Sequence, residues 1–147
     1  MTSTGSWFGS ALAVAAVAIQ PVAANARDDV PEHLLQAKNQ VTLSPKRVTY
    51  FEKQFLTKCA RCHGKAGDGR GSETQEKDVP PADLTDAARM STRSDGQLFY
   101  QILVGGMPRC AMPAFGPESD HGWSEKKIWE MVAFVRRFAE SPNTPDK

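Results

Sequence analysis

The chain has 147 residues and a formal net charge of +1, from 18 Lys or Arg and 17 Asp or Glu. This length is enough for one domain, and the near balance of charge argues against a nucleic-acid partner. Only 40% of the residues are hydrophobic, so the side chains alone supply a modest core.

The N-terminal segment is predicted to be a signal peptide. Residues 1–26 contain no Asp, Glu, Lys or Arg, and an apolar run at 11–19 precedes the triplet Ala24-Asn25-Ala26, which fits a cleavage site. The basic residues that usually precede such a run are missing. A retained anchor is the less favoured alternative, because the run is shorter than the about 20 residues that cross a bilayer. We therefore expect no stable membrane insertion after cleavage.

The next segment leads into the first long helix. Residues 27–43 are polar and mixed, and they are predicted to form a poorly ordered arm or a linker. Ser44 followed by Pro45 indicates a helix start, and apolar residues then recur at steps of three and four. We expect this helix to run into Cys59. Its apolar face comprises Val48, Phe51 and Phe55.

A cysteine pair followed by a histidine marks the end of this helix. The segment Cys59-Ala60-Arg61-Cys62-His63 has the C-x-x-C-H spacing of a c-type haem attachment site. Two thiols three positions apart can each form a thioether with one vinyl group of a porphyrin, and the following His can ligate the iron. A redox dithiol or half a zinc site are the alternatives, but no strand pattern precedes Cys59. The motif predicts one covalently attached haem c, held by Cys59, Cys62 and His63.

The middle of the chain predicts loops and helices but no convincing strand. Residues 64–81 are rich in Gly and Asp, which indicates a loop, and residues 86–90 suggest a short helix. Ser94 and Gln97 have the spacing of a capping box. The helix that they open should stop at Gly105.

The last helix is predicted to follow a second loop at residues 107–122. Ser124 is its expected N-cap, and an apolar stripe continues at helical spacing to Phe138. Residues 141–147 are expected to fray. The sequence therefore predicts an all-α domain over residues 44–140.

The second axial ligand of a haem iron must come from elsewhere in the chain. Met112 is favoured, because a thioether suits an electron-transfer haem and Pro113 would keep the loop extended. Met107, which also precedes a Pro, competes with it, and either Met could simply fill the core. A His ligand, with His121 the better placed, and a vacant position are the remaining alternatives.

Together these segments resemble the class I cytochromes c, specifically the bacterial monohaem type, over about residues 46–139. The resemblance implies a small helical domain wrapped around one covalently attached haem. The M-P-x-aromatic motif of those proteins selects Met112 over Met107 as the axial ligand opposite His63. The matching segments are residues 59–64, 67–69, 80–85, 112–116 and 128–135.

The resemblance also implies contacts around the haem. His63 should donate its second ring proton to the carbonyl of Pro80 or Pro81. Phe55 and Phe134 should pack where the terminal helices cross. The side chains expected to wall the haem are Phe99, Phe115 and Trp129.

Two residues depart from the family pattern. Phe51 stands where a small residue is usual at the helix crossing, which suggests wider helix spacing or a different crossing point. Cys110 is left over after the haem takes two cysteines, in a compartment that favours disulfides. We expect a reduced, half-buried residue. An intermolecular disulfide and an alternative iron ligand are less favoured interpretations.

These observations predict a periplasmic electron carrier and not an enzyme, because His63 and Met112 leave no axial position for a substrate. Redox proteins would be the donor and the acceptor. Lys58, Arg61 and Lys65 flank the haem motif, so a partner with an acidic patch would dock weakly and in a salt-sensitive way.

Three other functions remain open at this point. The chain could be a haem c subunit of a larger oxidoreductase, with residues 27–43 as a docking segment. It could be a ligand-binding or peroxidatic haem protein, which requires a labile or missing distal ligand. It could also be a thiol oxidoreductase or a zinc protein without haem.

Overall fold

The computed structural model describes Met1 and residues 30–74, 79–106 and 110–140. Within these ranges the regular elements are all helices, which confirms the predicted all-α class. None of the helices in this part of the chain is both long and apolar enough to cross a bilayer. The predicted signal peptide beyond Met1 and the predicted tail lie outside the described residues. The helices are α1 (Glu32–Leu35), α2 (Pro45–Lys58), α3 (Ala60–His63), α4 (Ala87–Ser91), α5 (Asp95–Val104) and α6 (Glu125–Glu140).

Polar N-caps open the helices where the sequence predicted them. The Ser44 hydroxyl accepts a hydrogen bond from the Arg47 N–H, and Pro45 occupies the first position of α2. At α5 the capping box is complete, because Ser94 accepts from the Gln97 N–H and the Gln97 side chain accepts from the Ser94 N–H. These bonds satisfy backbone donors that a helix start leaves unpaired.

The core lies where α2 packs against α6. Phe51 and Phe55 of α2 are 0% and 1% exposed. The ring of Phe55 lies 6.0 Å from that of Phe134 and 4.8 Å from that of Phe138, centre to centre, which confirms the predicted aromatic contact between the two helices. Phe51 is completely buried although the resemblance led us to expect a small residue there. Each such ring contributes about 1.5–3 kcal/mol through burial.

Residues 30–43 lie against the domain, which differs from the expectation of a poorly ordered arm. The backbone of Leu34 packs so closely on Gly96 of α5 that a Cβ at position 96 would overlap the Leu34 carbonyl oxygen. Asn39 donates through its backbone N–H to Asp95 at 2.9 Å and through its side chain to the Trp129 carbonyl at 2.8 Å. The contacts that order this segment are long-range, so local composition did not indicate them.

Arg136 of α6 joins three helices and this N-terminal segment. Its guanidinium donates to Asp95 Oδ1 at 2.8 Å and to the Met90 carbonyl at 2.6 Å, and it also donates to the Arg93 carbonyl. Asp95 in turn accepts from Asn39. The two carbonyls belong to the last turn of α4 and to the residues after it, where backbone C=O groups have no N–H donor within the helix and need another donor. One side chain therefore fixes α4 and α5 against α6.

Candidate cofactor site

The C-x-x-C-H segment forms one helical turn directly after α2. Cys59 ends α2, and its carbonyl accepts from the backbone N–H groups of Cys62 at 3.1 Å and His63 at 2.9 Å. Residues three positions apart on a helix share a face, so the two thiols lie on the same side of this turn. Both cysteines are half-buried.

A glycine-rich loop folds back over this turn. The backbone N–H groups of Gly69 and Gly71 donate to the carbonyls of His63 and Cys62 at 2.8 and 3.0 Å. These bonds satisfy carbonyls that the end of α3 would leave unpaired. A Cβ at position 71 would overlap the Arg61 carbonyl oxygen, so only glycine allows the backbone this close. The loop therefore holds the backbone of the C-x-x-C-H turn in place through these hydrogen bonds.

The His63 ring is oriented by a backbone carbonyl. Its Nδ1 lies 3.0 Å from the carbonyl oxygen of Ala82, which can only accept, so Nδ1 carries the proton and Nε2 keeps a free lone pair. The prediction of a carbonyl partner is confirmed, but the choice of Pro80 or Pro81 is wrong. The Pro81 carbonyl oxygen faces Gly69 instead, and a Cβ on Gly69 would lie 2.9 Å from it. The carbonyl of the next residue, Ala82, contacts the His63 ring.

The protonation states of this turn suit a metal-binding imidazole better than a redox dithiol. Burial lowers the pKa of His63, and the hydrogen bond to Ala82 opposes this only in part. The lowered pKa favours the neutral ring that a metal ligand requires. Burial, with a smaller contribution from Cys62, raises the pKa of the Cys59 thiol to about 12. A redox dithiol needs an accessible thiolate, which this environment disfavours.

Met112 lies in a loop that is bonded to the end of α5. Gly106 donates to the Met112 carbonyl at 2.9 Å, and Phe115 donates to the Ile102 carbonyl at 3.0 Å. The Met112 side chain is partly buried and packs against the core. Its sulfur lies 3.7 Å from the side-chain nitrogen of Gln101. Met112 is therefore held by contacts to both its main-chain carbonyl and its side-chain sulfur.

The competing ligands take other places or fall outside the described residues. Met107 is not among the described residues. His121 stacks on Phe115 with ring centres 4.3 Å apart and 11° between the planes, which gives its ring a packing contact. Cys110 is a free, half-buried thiol, and its backbone N–H donates to the Gly106 carbonyl at 2.9 Å. The half-buried position agrees with the expectation for Cys110, and its reduced state stays a prediction.

Two of the three aromatic residues predicted to wall the haem are in contact with each other. Phe99 and Trp129 stack with ring centres 4.3 Å apart. Trp123, which the sequence reading missed, is 4% exposed and lies 4.8 Å from Phe115. A signal for Trp123 was present: it precedes the N-cap Ser124 by one residue and stands five before Ile128, the spacing of a hydrophobic staple.

These residues fit a covalently attached haem. Cys59 and Cys62 present thiols from one face of a turn, and His63 follows with a neutral ring and a free Nε2 lone pair. A thioether such as that of Met112 is a soft ligand of the kind found on haem iron.

Comparison with known families decides the nature of the protein. Residues 47–135, more than half of the chain, match the family described as cytochrome C oxidase, cbb3-type, subunit III. The chain belongs to this family of cytochrome c domains. Haem c is therefore its cofactor, and the predicted resemblance to cytochromes c is confirmed. The dithiol and zinc interpretations are replaced by that of an electron-transfer haem protein.

A solved structure agrees on the fold of this cytochrome domain. The chain is similar to one from the reducing HAO-like protein complex of Kuenenia stuttgartiensis, with a TM-score of 0.52 and 18% sequence identity. The match covers 69% of this chain and 49% of the other, so the cytochrome spans about half of its length. At this identity the likeness shows the fold alone. No curated protein matches the sequence.

Proposed function

We propose that this cytochrome carries single electrons between redox proteins, with the haem iron held between His63 and Met112 and the porphyrin bound through Cys59 and Cys62. The observation that carries the proposal is the His63 ring. Its Nδ1 is engaged by the Ala82 carbonyl, and it shares one turn with both cysteines. That combination leaves Nε2 as the free donor beside the two thiols.

The chain's residues favour electron carriage over catalysis. When bound, the haem supplies an iron that alternates between the ferrous and ferric states. His63 and Met112 would occupy both axial positions, so a substrate would have to displace one of them. A thioether ligand raises the reduction potential relative to a second His. Phe99 and Phe115 are buried, and beside a bound haem they would exclude water and favour the less charged ferrous state.

Export to the periplasm is part of the proposal. In bacteria c-type haem is attached outside the cytoplasm, and residues 1–26 have the apolar run and the small-residue triplet of a signal peptide. We expect a mature protein that begins at Arg27 and carries its cytochrome domain at residues 44–140. N-terminal sequencing of the exported holoprotein would test this, and a protein that keeps residues 1–26 would favour the anchored alternative.

A positive surface beside the haem motif favours an acidic redox partner. Lys58, Arg61 and Lys65 are exposed. Glu73 lies 3.7 Å from Arg61 and moderates the local charge, but both side chains are about half exposed, so their attraction is weak. We expect docking to weaken as salt rises through 0.1 M, where the Debye length is about 10 Å. Electron-transfer rates with a soluble acidic partner, measured against ionic strength, would show this dependence.

A second candidate function is a haem subunit of a larger oxidoreductase. It is supported by the matched family, which is described as an oxidase subunit, and by the similar chain, which comes from a protein complex. Residues 30–43 lie against α5 and α6, so the role of a free docking arm, open for residues 27–43 at the sequence level, finds no support in these contacts. A large complex on gentle extraction would favour the subunit function. A monomer with full electron-transfer activity would favour the carrier.

The optical spectrum of the ferric holoprotein tests the proposed ligation. We expect a weak red charge-transfer band from sulfur on iron. Met112→Leu keeps the side-chain volume and should abolish the band. The matched controls Met90→Leu, a buried core residue, and Met107→Leu should keep it. A band that persists in Met112→Leu and disappears in Met107→Leu would assign the axial ligand to Met107. A wild-type protein without the band would count against the function of electron carrier.

A further inference from the structure

Gln101 lies between the end of α5 and the Met112 sulfur. It stands in the last turn of α5 and is half-buried. Its side-chain Nε2 is 2.8 Å from the carbonyl oxygen of Gly105 and 3.7 Å from Met112 Sδ. One amide group therefore contacts both the helix terminus and the proposed iron ligand.

The chemistry of its neighbours fixes how the Gln101 amide points. A backbone carbonyl oxygen and a thioether sulfur can only accept hydrogen bonds, whereas the amide nitrogen has two hydrogens to donate. Turned the other way, the side-chain oxygen would face the Gly105 carbonyl oxygen, and the two acceptors would repel each other. The observed orientation gives each acceptor one N–H, so the contact with sulfur is a donated hydrogen bond.

The backbone around this contact has little room to move. Gly105 has a φ of +76°, and a Cβ on it would lie 2.7 Å from the Met112 carbonyl oxygen. The same carbonyl accepts from the Gly106 N–H at 2.9 Å. The main chain of Met112 is thus fixed to the end of α5, and Gln101 reaches from the same helix to its sulfur.

We propose that Gln101 is the positioning residue of the Met112 thioether. This proposal rests on the His63/Met112 ligation proposed above. The N–H orients the sulfur so that one lone pair is engaged and the other is free for the iron. It also draws electron density from sulfur, which weakens donation to the more highly charged ferric iron. Gln101 therefore keeps Met112 in place and raises the reduction potential.

The expected size follows from the strength of one neutral hydrogen bond. A net contribution of about 0.5–1.5 kcal/mol corresponds to a roughly twofold to tenfold change in an equilibrium constant. Removing the donor should lower the equilibrium constant for reduction by at most that factor, because the bond acts on the potential only through the difference between its strengths in the two oxidation states. For a one-electron couple a tenfold change is about 59 mV. Displacement of Met112 by added imidazole should become easier by a similar factor.

The test compares Gln101→Leu and Gln101→Glu with wild-type holoprotein. Leu removes the donor, and Glu keeps the shape but offers only acceptors when ionised, so the potential should fall in both and further in Gln101→Glu. Redox titration gives the potential, and imidazole titration of the ferric protein gives the affinity of the competing ligand. Asn39→Ala is the control, because it removes the two hydrogen bonds of the Asn39 side chain, one donated to the Trp129 carbonyl and one accepted from the Val41 N–H, and leaves the charge unchanged.

The outcomes separate this proposal from the ligation on which it rests. If Gln101 only caps α5, Gln101→Leu will lower the unfolding temperature as Asn39→Ala does but keep the wild-type potential and imidazole affinity, which overturns the proposal. If one Gln101 variant fails to fold, the other decides by the same two measurements. If the red band persists in Met112→Leu, both the proposed Met112 ligation and this proposal are wrong. If Met112→Leu abolishes the red band but both Gln101 variants keep the wild-type potential, the ligation is supported and the proposal for Gln101 is wrong.

Discussion

The proposed proximal and distal sides of the haem site are built in different ways. Cys59, Cys62 and His63 share one helical turn, whose bonds join residues three or four positions apart. Met112 lies in a loop, and the bonds that hold it come from a helix that ended several residues earlier. A ligand carried by one turn depends on local sequence, whereas a ligand carried by a loop depends on every contact that fixes the loop.

This difference predicts different consequences of mutation on the two sides. Changes to the proximal turn should decide whether a haem is attached at all. Changes to the distal loop should leave the haem attached but alter its ligand and its potential. Changes to contacts remote from both sides should affect stability without a spectral signature.

The largest effect is expected from the proximal cysteines. The double variant Cys59→Ser and Cys62→Ser removes both thioethers, so haem should no longer stay with the polypeptide on a denaturing gel. Cys110→Ser is the control and should retain covalent haem at the wild-type mass. Covalent haem in the double variant, or its loss in Cys110→Ser, would contradict the assignment of the attachment residues.

A glycine substitution tests the distal loop. Gly105→Ala places a Cβ 2.7 Å from the Met112 carbonyl oxygen at a positive φ, so we expect a loss of about 2–3 kcal/mol and a weaker red band. Gly122→Ala shares the positive φ, +57°, but its Cβ would meet nothing within 4 Å, and it should cost about 1 kcal/mol. Denaturant unfolding and the ferric spectrum measure both effects. A full red band in Gly105→Ala would show that the distal ligand does not depend on this contact.

Arg136 tests the part of the fold that is remote from both sides. Arg136→Ala removes bonds to Asp95 and to the carbonyls of Met90 and Arg93, and it should destabilise the protein by about 2 kcal/mol. Arg137→Ala, an exposed neighbour, should change stability by less than about 0.5 kcal/mol. Denaturant unfolding measures both, and the red band should persist in each. A spectral change in Arg136→Ala would mean that the network also shapes the haem site.

The smallest effect concerns the turn that presents the Ala82 carbonyl to His63. Hydrogen bonds from the Thr85 side chain, and less strongly from backbone N–H groups, lower the pKa of Asp83. A carboxyl whose folded pKa is lowered stabilises the fold above its unfolded pKa of about 3.9, and this contribution is lost as pH falls. Asp83 is only half-buried, and solvent screens its charge, so Asp83→Asn should cost a few tenths of a kcal/mol at pH 7. The difference in unfolding free energy between the two proteins should shrink as pH falls below the unfolded pKa of about 3.9, and a difference that stays constant through acid pH would reject the charge as the cause.

The proximal side was predictable because its functional residues lie within five consecutive positions of the sequence. The spacing of Cys59 and Cys62 and the adjacent His63 indicated a haem without any knowledge of the fold. The helix starts at Ser44 and Ser94 were predictable for the same reason, since capping depends on residues within one turn.

The remaining features depend on how distant segments meet. Which carbonyl faces His63 is decided by the path of the loop past Gly69, and Ala82 could not be chosen from sequence. Asn39 and Gln101 are ordinary polar residues until the fold places their partners beside them. The stabilising role of Arg136 likewise exists only because α4 ends next to α6.

The central claim is that Met112 is bound to the iron opposite His63, and proton NMR of the ferrous holoprotein tests it most directly. A methionine methyl held over the haem face experiences the ring current of the porphyrin and resonates far upfield of all others. We predict one such methyl resonance in the wild type, its loss in Met112→Leu and its retention in Met107→Leu. Its absence in the wild type, or its survival in Met112→Leu, would contradict the account.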